Sequence, residues 1–207
     1  MKKIFLVLFY GLLVRPWLTI LIGVGFYNKK TFDSIDQFIV VANHNSHFDS
    51  ISILAALPLN KLANTHPVAA MDYFGKTSLS AGVVSLFVNT LLIRRKKEDG
   101  GASPIELIDG YLKKGKSIIL FPEGSRGKPG VIEDFKKGIA ILLQKNPSIP
   151  FVPVYLDGFG RVLPKDRKLI IPLNCKVRFG EPIWTKGKDI EAILTDVKDA
   201  ILSLKSN

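Results

Sequence analysis

The fold is decided by residues 38–57, which read FIVVANHNSHFDSISILAAL. The first part, Phe38 to Ala42, is short, apolar and rich in β-branched residues, which is typical of a buried strand. The last part, Ile51 to Leu57, is longer and contains alanine and leucine, which favours a helix. Asp49 falls in the first turn of that helix, where a negative charge is favoured. A strand therefore ends just before His44, and a helix begins just before Asp49.

The spacing of His44 and Asp49 suggests a catalytic pair. On one continuous helix the two side chains would point about 140° apart, since each residue turns about 100°. A turn between them removes that obstacle, so Asp49 could accept a hydrogen bond from one imidazole nitrogen while the other acts as a base. This pair has no nucleophile of its own, so the nucleophile is expected in a substrate. A helix cap with two incidental histidines, His44 and His47, is the alternative interpretation.

Length and composition indicate one folded domain with anionic partners. The chain has 207 residues and no low-complexity linker, which suits a single sizeable core. Its one cysteine, Cys175, excludes an intrachain disulfide. The net charge of +11 favours phosphorylated substrates, anionic lipid or other acidic partners. No zinc-finger spacing or aromatic RNA-binding signature accompanies the basic residues, so nucleic acid is not the predicted partner.

Residues 4–26 are almost entirely apolar and predict contact with a membrane. Arg15 and Pro16 interrupt the segment. An arginine at the bilayer centre costs about 2.5–3.5 kcal/mol on insertion scales, and proline breaks or kinks a helix. Each half would be roughly 17 Å long as a helix, too short for a hydrocarbon core of about 30 Å. We therefore expect two short helices that dip into one leaflet as a monotopic anchor. One kinked spanning helix and a buried soluble hairpin are the alternatives.

Strands and helices alternate along the rest of the chain. Strand-like runs lie at residues 68–70, 91–93, 117–121, 151–155, 169–171 and 176–179, and helical patterns lie at 104–114, 134–144 and 189–204. This alternation predicts an α/β fold with a central, mostly parallel sheet flanked by helices. Pro153 predicts an edge or irregular position for its strand, because proline cannot donate to a ladder.

Polar residues that follow the predicted strands are expected to converge. In parallel sheets, sites gather at the carboxyl ends of strands. His44, Arg94 with Arg95, and residues 123–126 all occupy such positions. Arginine presents a planar fork that suits phosphate, and the turn at Gly124 could direct backbone N–H groups at an oxyanion. This set fits acyl transfer onto a hydroxyl of a phosphorylated acceptor. The alternative for the arginines is a solvated surface charge, and the alternative for Glu123 is a structural salt bridge.

Four blocks of the sequence resemble the signatures of the glycerolipid acyltransferases, the lysophosphatidate (1-acylglycerol-3-phosphate) acyltransferase family. In chain order they are residues 43–49, 89–95, 121–126 and 151–154, and the resemblance covers roughly residues 37 to 182. The first block is similar to the family's His-x4-Asp motif, and the third, FPEGSR, to its second signature. The chain departs from the family at Asn89, where glycine is usual, and it lacks a phenylalanine before Ile93.

The resemblance implies a catalytic pair and a substrate-binding set. His44 would be the general base that removes the proton from a glycerol hydroxyl, and Asp49 would orient its imidazole. The residues implied to bind the acceptor or its phosphate are Arg95, Glu123, Gly124, Ser125 and Arg126. No metal or tightly bound cofactor is implied, because acyl-CoA or acyl-carrier protein brings the acyl group as a co-substrate.

The resemblance also implies a membrane-associated enzyme of phospholipid biosynthesis. Lysophosphatidate is the predicted acceptor and phosphatidate the product; another lyso-phospholipid or an aminoacyl lyso-lipid is the alternative acceptor. Residues 1–30 would form the membrane-associating helical segment, and residues 31–207 the acyltransferase domain. The predicted location is the cytoplasmic face of the inner membrane, with the lipid surface as a partner.

Three other functions compete with this interpretation. A serine-type lipid hydrolase would use Ser125, although the G-x-S-x-G elbow is absent around it. A metal site would use His44, His47 and Asp49, although no further cluster of ligands accompanies them. A non-enzymatic basic protein that binds membranes or nucleic acid would explain the charge but not the motifs that follow the strands.

Overall fold

A computed structural model describes most of the chain. The described residues are 1–46, 48–71, 82, 85–94, 101–125, 127, 131–159 and 175–205. The strand predicted at residues 169–171 lies outside them. All statements about the fold concern these ranges.

The described residues form a seven-stranded sheet with helices on both of its faces. The strands are β1 (Gly25–Tyr27), β2 (Ile39–Ala42), β3 (Thr65–Ala70), β4 (Leu91–Ile93), β5 (Ser117–Leu120), β6 (Phe151–Asp157) and β7 (Lys176–Phe179). The helices are α1 (Lys2–Ile22), α2 (Phe48–Ala56), α3 (Leu59–Leu62), α4 (Pro104–Lys113), α5 (Gly138–Lys145) and α6 (Ile190–Ser203). A short 3₁₀ helix covers Lys29–Phe32.

The sheet is mostly parallel, which confirms the predicted fold class. Its strand order is β1-β7-β6-β2-β5-β3-β4. The five strands from β6 to β4 in this order run in the same direction, whereas β7 is antiparallel to β6 and β1 is parallel to β7. The carboxyl ends of β2, β5 and β6 therefore meet at one edge of the sheet, with β2 in the middle.

Both faces of β2 are buried, which explains its unbroken apolar sequence. Val40 and Ala42 belong to the hydrophobic cluster that includes residues of α1 and α2. Ile39 and Val41 belong to the cluster on the opposite face, which includes residues of α4, α5 and α6. Because the strand is held from both sides, its carboxyl end is a rigid place from which to present a side chain.

Helix α1 runs from Lys2 to Ile22 without the break expected at Arg15 and Pro16. Two stretches of it, Phe9–Val14 and Trp17–Ile22, are π-helical, with backbone hydrogen bonds that span five residues. These wider turns flank the proline, which has no N–H to donate, and allow the helix to continue through it.

The guanidinium of Arg15 has hydrogen-bond partners inside the protein. Its Nε donates to the carbonyl of Ala55 at 2.6 Å, and its Nη2 donates to the carbonyl of Leu57. Those carbonyls lie at the C-terminal end of α2, where a positive charge is favoured. These partners explain how an otherwise apolar helix accommodates an arginine.

Helix α1 presents one face to the core and another to the outside. Its buried residues recur at every fourth position: Leu6, Tyr10, Val14, Leu18 and Ile22. The wide turns keep them in line, since a mixture of α and π turns averages roughly four residues per turn. Exposed apolar side chains cover the rest of the helix: Ile4, Leu8, Leu12, Leu13, Ile20 and Leu21. By length and composition alone, the 21-residue helix could cross a bilayer.

Pro153 lies in an interior strand, since β6 pairs with β7 on one side and β2 on the other. The edge position predicted for it is therefore wrong, although its surroundings are irregular. Antiparallel pairing between β6 and β7 begins at Val154 opposite Phe179. Pro153 lies just before that point and accepts a hydrogen bond from Gly180 at 2.8 Å. Its missing N–H falls where β7 has ended, so no ladder bond is lost.

Candidate active site

The side chains of His44 and Asp49 meet at the carboxyl edge of the sheet. His44 follows β2, and Asp49 lies in the first turn of α2. The distance between His44 Nδ1 and Asp49 Oδ2 is 2.8 Å. Because a carboxylate only accepts hydrogen bonds, Nδ1 carries the proton and the lone pair of the neutral ring resides on Nε2. The His44 side chain is 21% exposed, so a substrate can approach it.

Asp49 is locked in place by the turn that precedes its helix. Its Oδ2 also accepts backbone hydrogen bonds from Asn45 at 2.7 Å and from Ser46 at 2.8 Å. The Ser46 hydroxyl in turn accepts a hydrogen bond from the N–H of Phe48 at 3.3 Å. Asp49 is fully buried, and a buried charge is costly without partners. The N–H groups of Asn45 and Ser46, together with His44, stabilise its negative charge. This turn supplies the geometry that the five-residue spacing requires.

Glu123 ties the loop after β5 to the backbone of His44. Its Oε1 accepts the N–H of His44 at 2.8 Å, and its Oε2 accepts the N–H of Glu133 at 3.1 Å. The N–H of Gly127 donates to the carbonyl of His44 at 3.0 Å, so both backbone groups of His44 are held by the same loop. Burial raises the pKa of the Glu123 carboxyl above its ordinary value, and the two N–H donors act in the opposite direction.

These contacts give Glu123 a structural role, and its predicted part in the acceptor site stays a prediction. Only 3% of the residue is exposed, and both carboxylate oxygens accept backbone hydrogen bonds. A buried carboxylate with two such partners holds a loop in position. Glu123 therefore connects the two sequence motifs and fixes the place of His44.

Asn43 holds the end of β2 against the end of β6. Its Nδ2 donates to the carbonyl of Leu156 at 3.0 Å, and the N–H of Leu156 donates to its Oδ1 at 2.7 Å. The side-chain amide thus continues the β2–β6 ladder for one more step before His44. Sequence reasoning placed Asn43 in the motif without giving it a role. Its position directly after a buried strand was the available signal.

The turn after β5 differs from the expected oxyanion site. Gly124 has a φ of 74°, which favours glycine, and its N–H donates to the carbonyl of Phe121 at 3.0 Å. The Gly124 N–H is therefore occupied within the turn, while the oxyanion role predicted for the turn at Gly124 and Ser125 stays a prediction. Ser125 is exposed beside it. A Cβ atom at Gly124 would lie 2.7 Å from Lys136 Nζ, the flexible end of a side chain that can shift, so the positive φ is the stronger reason for glycine here.

Lys136 is a cation at this site that sequence reasoning did not single out. It shares an open cavity of about 530 Å³ with Ser125 and with acidic side chains. The remaining lining residues are Glu123, Ile132, Glu133 and Asp134. The signal in the sequence was the Lys136-Lys137 pair, which was interpreted only as part of the general basic charge.

The arginines of the sequence prediction are only partly described. Arg95 and Arg126 lie outside the described residues, as does His47. Arg94 follows β4 and lines an apolar cavity of about 240 Å³ together with Leu92, Ile93 and Leu107. Within the described ranges, no group of three or more histidine, cysteine, aspartate or glutamate side chains is placed to hold a metal ion.

Comparison with known families gives an independent result. The family model described as Acyltransferase matches residues 23–157, more than half of the chain. A mouse protein named 1-acyl-sn-glycerol-3-phosphate acyltransferase alpha is 26% identical over 178 residues, which cover 84% of this chain and 60% of that protein. A coconut 1-acyl-sn-glycerol-3-phosphate acyltransferase is 30% identical over 157 residues, which cover 75% of this chain and 48% of the relative. The chain thus spans less than two thirds of either relative.

A solved structure has a similar fold. The crystal structure of the 1-acyl-sn-glycerophosphate (LPA) acyltransferase PlsC from Thermotoga maritima matches with a TM-score of 0.70. The match covers 88% of this chain and 71% of that one, at 23% sequence identity. At this level of identity, the likeness supports the shared fold.

Proposed function

This chain belongs to the acyltransferase family, and we propose that it moves a fatty acyl group from a thioester donor to the free hydroxyl of lysophosphatidate, giving phosphatidate. The observation that carries the proposal is the 2.8 Å contact between His44 Nδ1 and Asp49 Oδ2 at the carboxyl end of the central strand. The printed names of the mouse and coconut relatives support the choice of acceptor.

The pair His44–Asp49 acts as a general base. His44 Nε2 takes the proton of the acceptor hydroxyl while the hydroxyl oxygen attacks the thioester carbonyl carbon. The tetrahedral adduct then collapses, the carbon–sulfur bond breaks, and the imidazolium returns the proton to the departing thiolate. Asp49 holds the Nδ1 proton and stabilises the imidazolium between the two steps. The acyl group passes directly to the acceptor, and the carrier leaves as a free thiol.

The acceptor phosphate is assigned to two arginines of the sequence motifs. Arg95 and Arg126 match the family's motifs, and a guanidinium binds phosphate through two parallel hydrogen bonds. Lys136 adds a positive charge next to Gly124, at the same loop.

The donor is acyl-CoA or acyl-carrier protein, and no bound cofactor takes part. The apolar cavity beside β4, lined by Leu92, Ile93 and Leu107, lies at the same edge of the sheet as His44. Three strand spacings separate β2 from β4, which amounts to roughly 14 Å. A fatty acyl chain is long enough to extend from the thioester into that cavity.

The exposed face of α1 rests on the membrane in this proposal. A helix whose other face packs in the core cannot be surrounded by lipid, so in-plane association fits better than spanning. That face carries large apolar side chains with high exposure, including Leu12 at 69% and Ile20 at 77%. The lyso-lipid and its product reside in the same leaflet, so the enzyme meets both there. The cytoplasmic leaflet of the inner membrane is the proposed location.

Ile20→Asp is expected to weaken binding to lipid vesicles about tenfold or more, because it removes one large apolar side chain from the interface and adds a charge. Deletion of α1 would not be a clean test, since Leu6 and Leu18 lie in the core. Vesicle flotation measures the bound fraction, and thermal unfolding checks the fold. Leu202→Asp, which adds the same charge at a less exposed apolar side chain of α6, is the control. Equal flotation of both variants would contradict this role of α1.

Glu123→Gln is expected to lower kcat about 10- to 100-fold with little change in KM, since the position of His44 loosens while the acceptor contacts remain. A glutamine can accept only one of the two N–H groups, so the free energy of unfolding should fall by about 1–3 kcal/mol. Glu133→Gln is the matched control, because Glu133 contributes its backbone N–H and not its side chain. A raised acceptor KM with an unchanged kcat would return Glu123 to the acceptor site.

A panel of lyso-phospholipid acceptors tests the proposed function. The protein is mixed with isotope-labelled acyl-CoA or acyl-carrier protein and with equal amounts of lysophosphatidate, other lyso-phospholipids and an aminoacyl lyso-lipid. Mass spectrometry of the products is expected to find label mainly in phosphatidate. Label in another product would reassign the acceptor, and an acyl group bound covalently to Ser125 would support a serine hydrolase instead.

A further inference from the structure

Phe121 stacks directly on the ring of His44. The two ring centroids are 4.0 Å apart, and the ring planes differ by 19°. His44 follows β2 and Phe121 follows β5, and these strands are parallel neighbours in the sheet. The contact therefore joins the first and third sequence blocks through their side chains. Neither the motif resemblance nor the mechanism gives the phenylalanine a part in the reaction.

The backbones of both residues are held by hydrogen bonds, and the ring of His44 has a further bond of its own. The N–H of His44 donates to Glu123 at 2.8 Å, and the carbonyl of His44 accepts from Gly127 at 3.0 Å. The carbonyl of Phe121 accepts from Gly124 at 3.0 Å. His44 Nδ1 is fixed in addition by Asp49. With its backbone and Nδ1 held, the imidazole cannot turn away from the phenyl face without breaking these bonds.

The stack distinguishes the two charge states of His44. The face of a phenyl ring carries negative electrostatic potential and attracts a cation placed over it within about 6 Å of the centroid. A neutral imidazole gains little from that potential, whereas an imidazolium gains more. His44 becomes an imidazolium only after it has taken the hydroxyl proton. An interaction that strengthens at this point lowers the barrier instead of merely improving binding.

Two carboxyl groups also face His44. Asp49 on α2 bonds Nδ1, and Glu123 in the loop after β5 bonds the backbone N–H. Both favour the imidazolium electrostatically, and a change at Phe121 leaves both in place. The contribution of the phenyl face can therefore be measured against an unchanged pair of carboxyl groups.

We infer that Phe121 is a positioning residue of the base, whose ring face stabilises the imidazolium formed when His44 takes the acceptor proton. The inference rests on the proposed function for its role in catalysis. It extends that function, because it gives the first residue of the Phe-Pro-Glu-Gly-Ser-Arg block an electrostatic task. The stack itself can be tested without any substrate.

Fluorination of Phe121 separates electrostatics from packing. Phenylalanine with one, two or three ring fluorines is incorporated at position 121 of the full chain; fluorine withdraws charge from the ring face and nearly preserves its shape. With ¹³C-labelled histidine, NMR follows proton uptake by His44, whose signal is identified by its loss in His44→Gln. The titration midpoint is expected to fall with each fluorine, by about 0.4–1.5 pH units for the trifluorinated ring.

The rate of acyl transfer should also fall with each fluorine added to Phe121. We expect kcat to fall stepwise, by about 2- to 30-fold for the trifluorinated ring, with the acceptor KM unchanged. Phe121→Leu should lower kcat at least as much as the trifluorinated ring does, and Phe121→Trp should retain most of the rate if it folds. A purely structural role would leave both the midpoint and kcat unmoved in the fluorinated proteins.

The outcomes separate this inference from the proposed function. A midpoint that falls together with kcat supports both. An unmoved midpoint overturns the role of Phe121, whether or not the protein transfers acyl groups. A falling midpoint in a protein that transfers no acyl group to any acceptor contradicts the proposed function while upholding the effect of the phenyl face on His44.

Discussion

His44→Gln is expected to lower kcat for acyl transfer about 10²- to 10⁴-fold, the usual contribution of a positioned general base. Glutamine fits the space of the imidazole but cannot accept the hydroxyl proton at neutral pH. The backbone of residue 44 keeps its hydrogen bonds to Glu123 and Gly127, so the fold should persist. Initial rates with saturating acceptor, combined with thermal unfolding, measure the effect.

His66→Gln provides the matched control for this substitution. His66 lies near the start of β3, away from the carboxyl edge, and its Nδ1 bonds the carbonyl of Asn89 at 2.9 Å. The control should therefore retain most of the rate per folded molecule. Near-normal turnover in a folded His44→Gln variant would refute the general-base mechanism.

Asp49→Asn is expected to reduce kcat by a comparable factor of about 10²- to 10⁴-fold, since it removes the charge that balances the imidazolium. The shape of the side chain is preserved, and its oxygen can still accept the N–H groups of Asn45 and Ser46. The free energy of unfolding should therefore change by only about 1–2 kcal/mol. Single-turnover rates across pH, together with chemical unfolding, test both expectations.

Asp36→Asn serves as the control for the loss of a carboxylate, because its side chain is fully exposed. It should leave both the rate and the free energy of unfolding unchanged. An Asp49→Asn protein that keeps the wild-type rate would show that the carboxylate is a helix cap alone. That result would restore the simpler interpretation of the whole strand-to-helix turn.

The central architecture could be predicted because the decisive signals are local. Continuous apolar residues in β2 indicated a strand buried on both faces. The change from a strand to a helix between residues 42 and 48 indicated a turn, and the turn accounts for the meeting of His44 with Asp49. Each of these inferences needs only a few neighbouring residues.

The remaining parts of the site depend on partners that are distant in sequence. Glu123 bonds a residue 79 positions away, and Asn43 bonds one 113 positions away. No local pattern identifies such partners, so neither of these two contacts could be predicted. The same reason explains Arg15, whose partner carbonyls lie at the end of α2, 40 and 42 positions away.

Helix α1 packs against the helix that carries Asp49. Trp17 packs against Phe48 with ring centroids 5.7 Å apart, and Phe48 is adjacent to Asp49. At its other end, α2 receives the hydrogen bonds of Arg15. Helix α1 is thus packed along the helix that carries Asp49, so the apolar N-terminal segment is part of the same folded unit as the candidate site.

The most direct test of the account is the formation of phosphatidate itself. Lysophosphatidate and an isotope-labelled acyl donor are incubated with the unaltered protein and, in parallel, with His44→Gln, and the products are measured by mass spectrometry. General-base catalysis by His44 is expected to give labelled phosphatidate with the unaltered protein and a yield near background with the variant. Equal amounts of labelled phosphatidate from both proteins would contradict this mechanism.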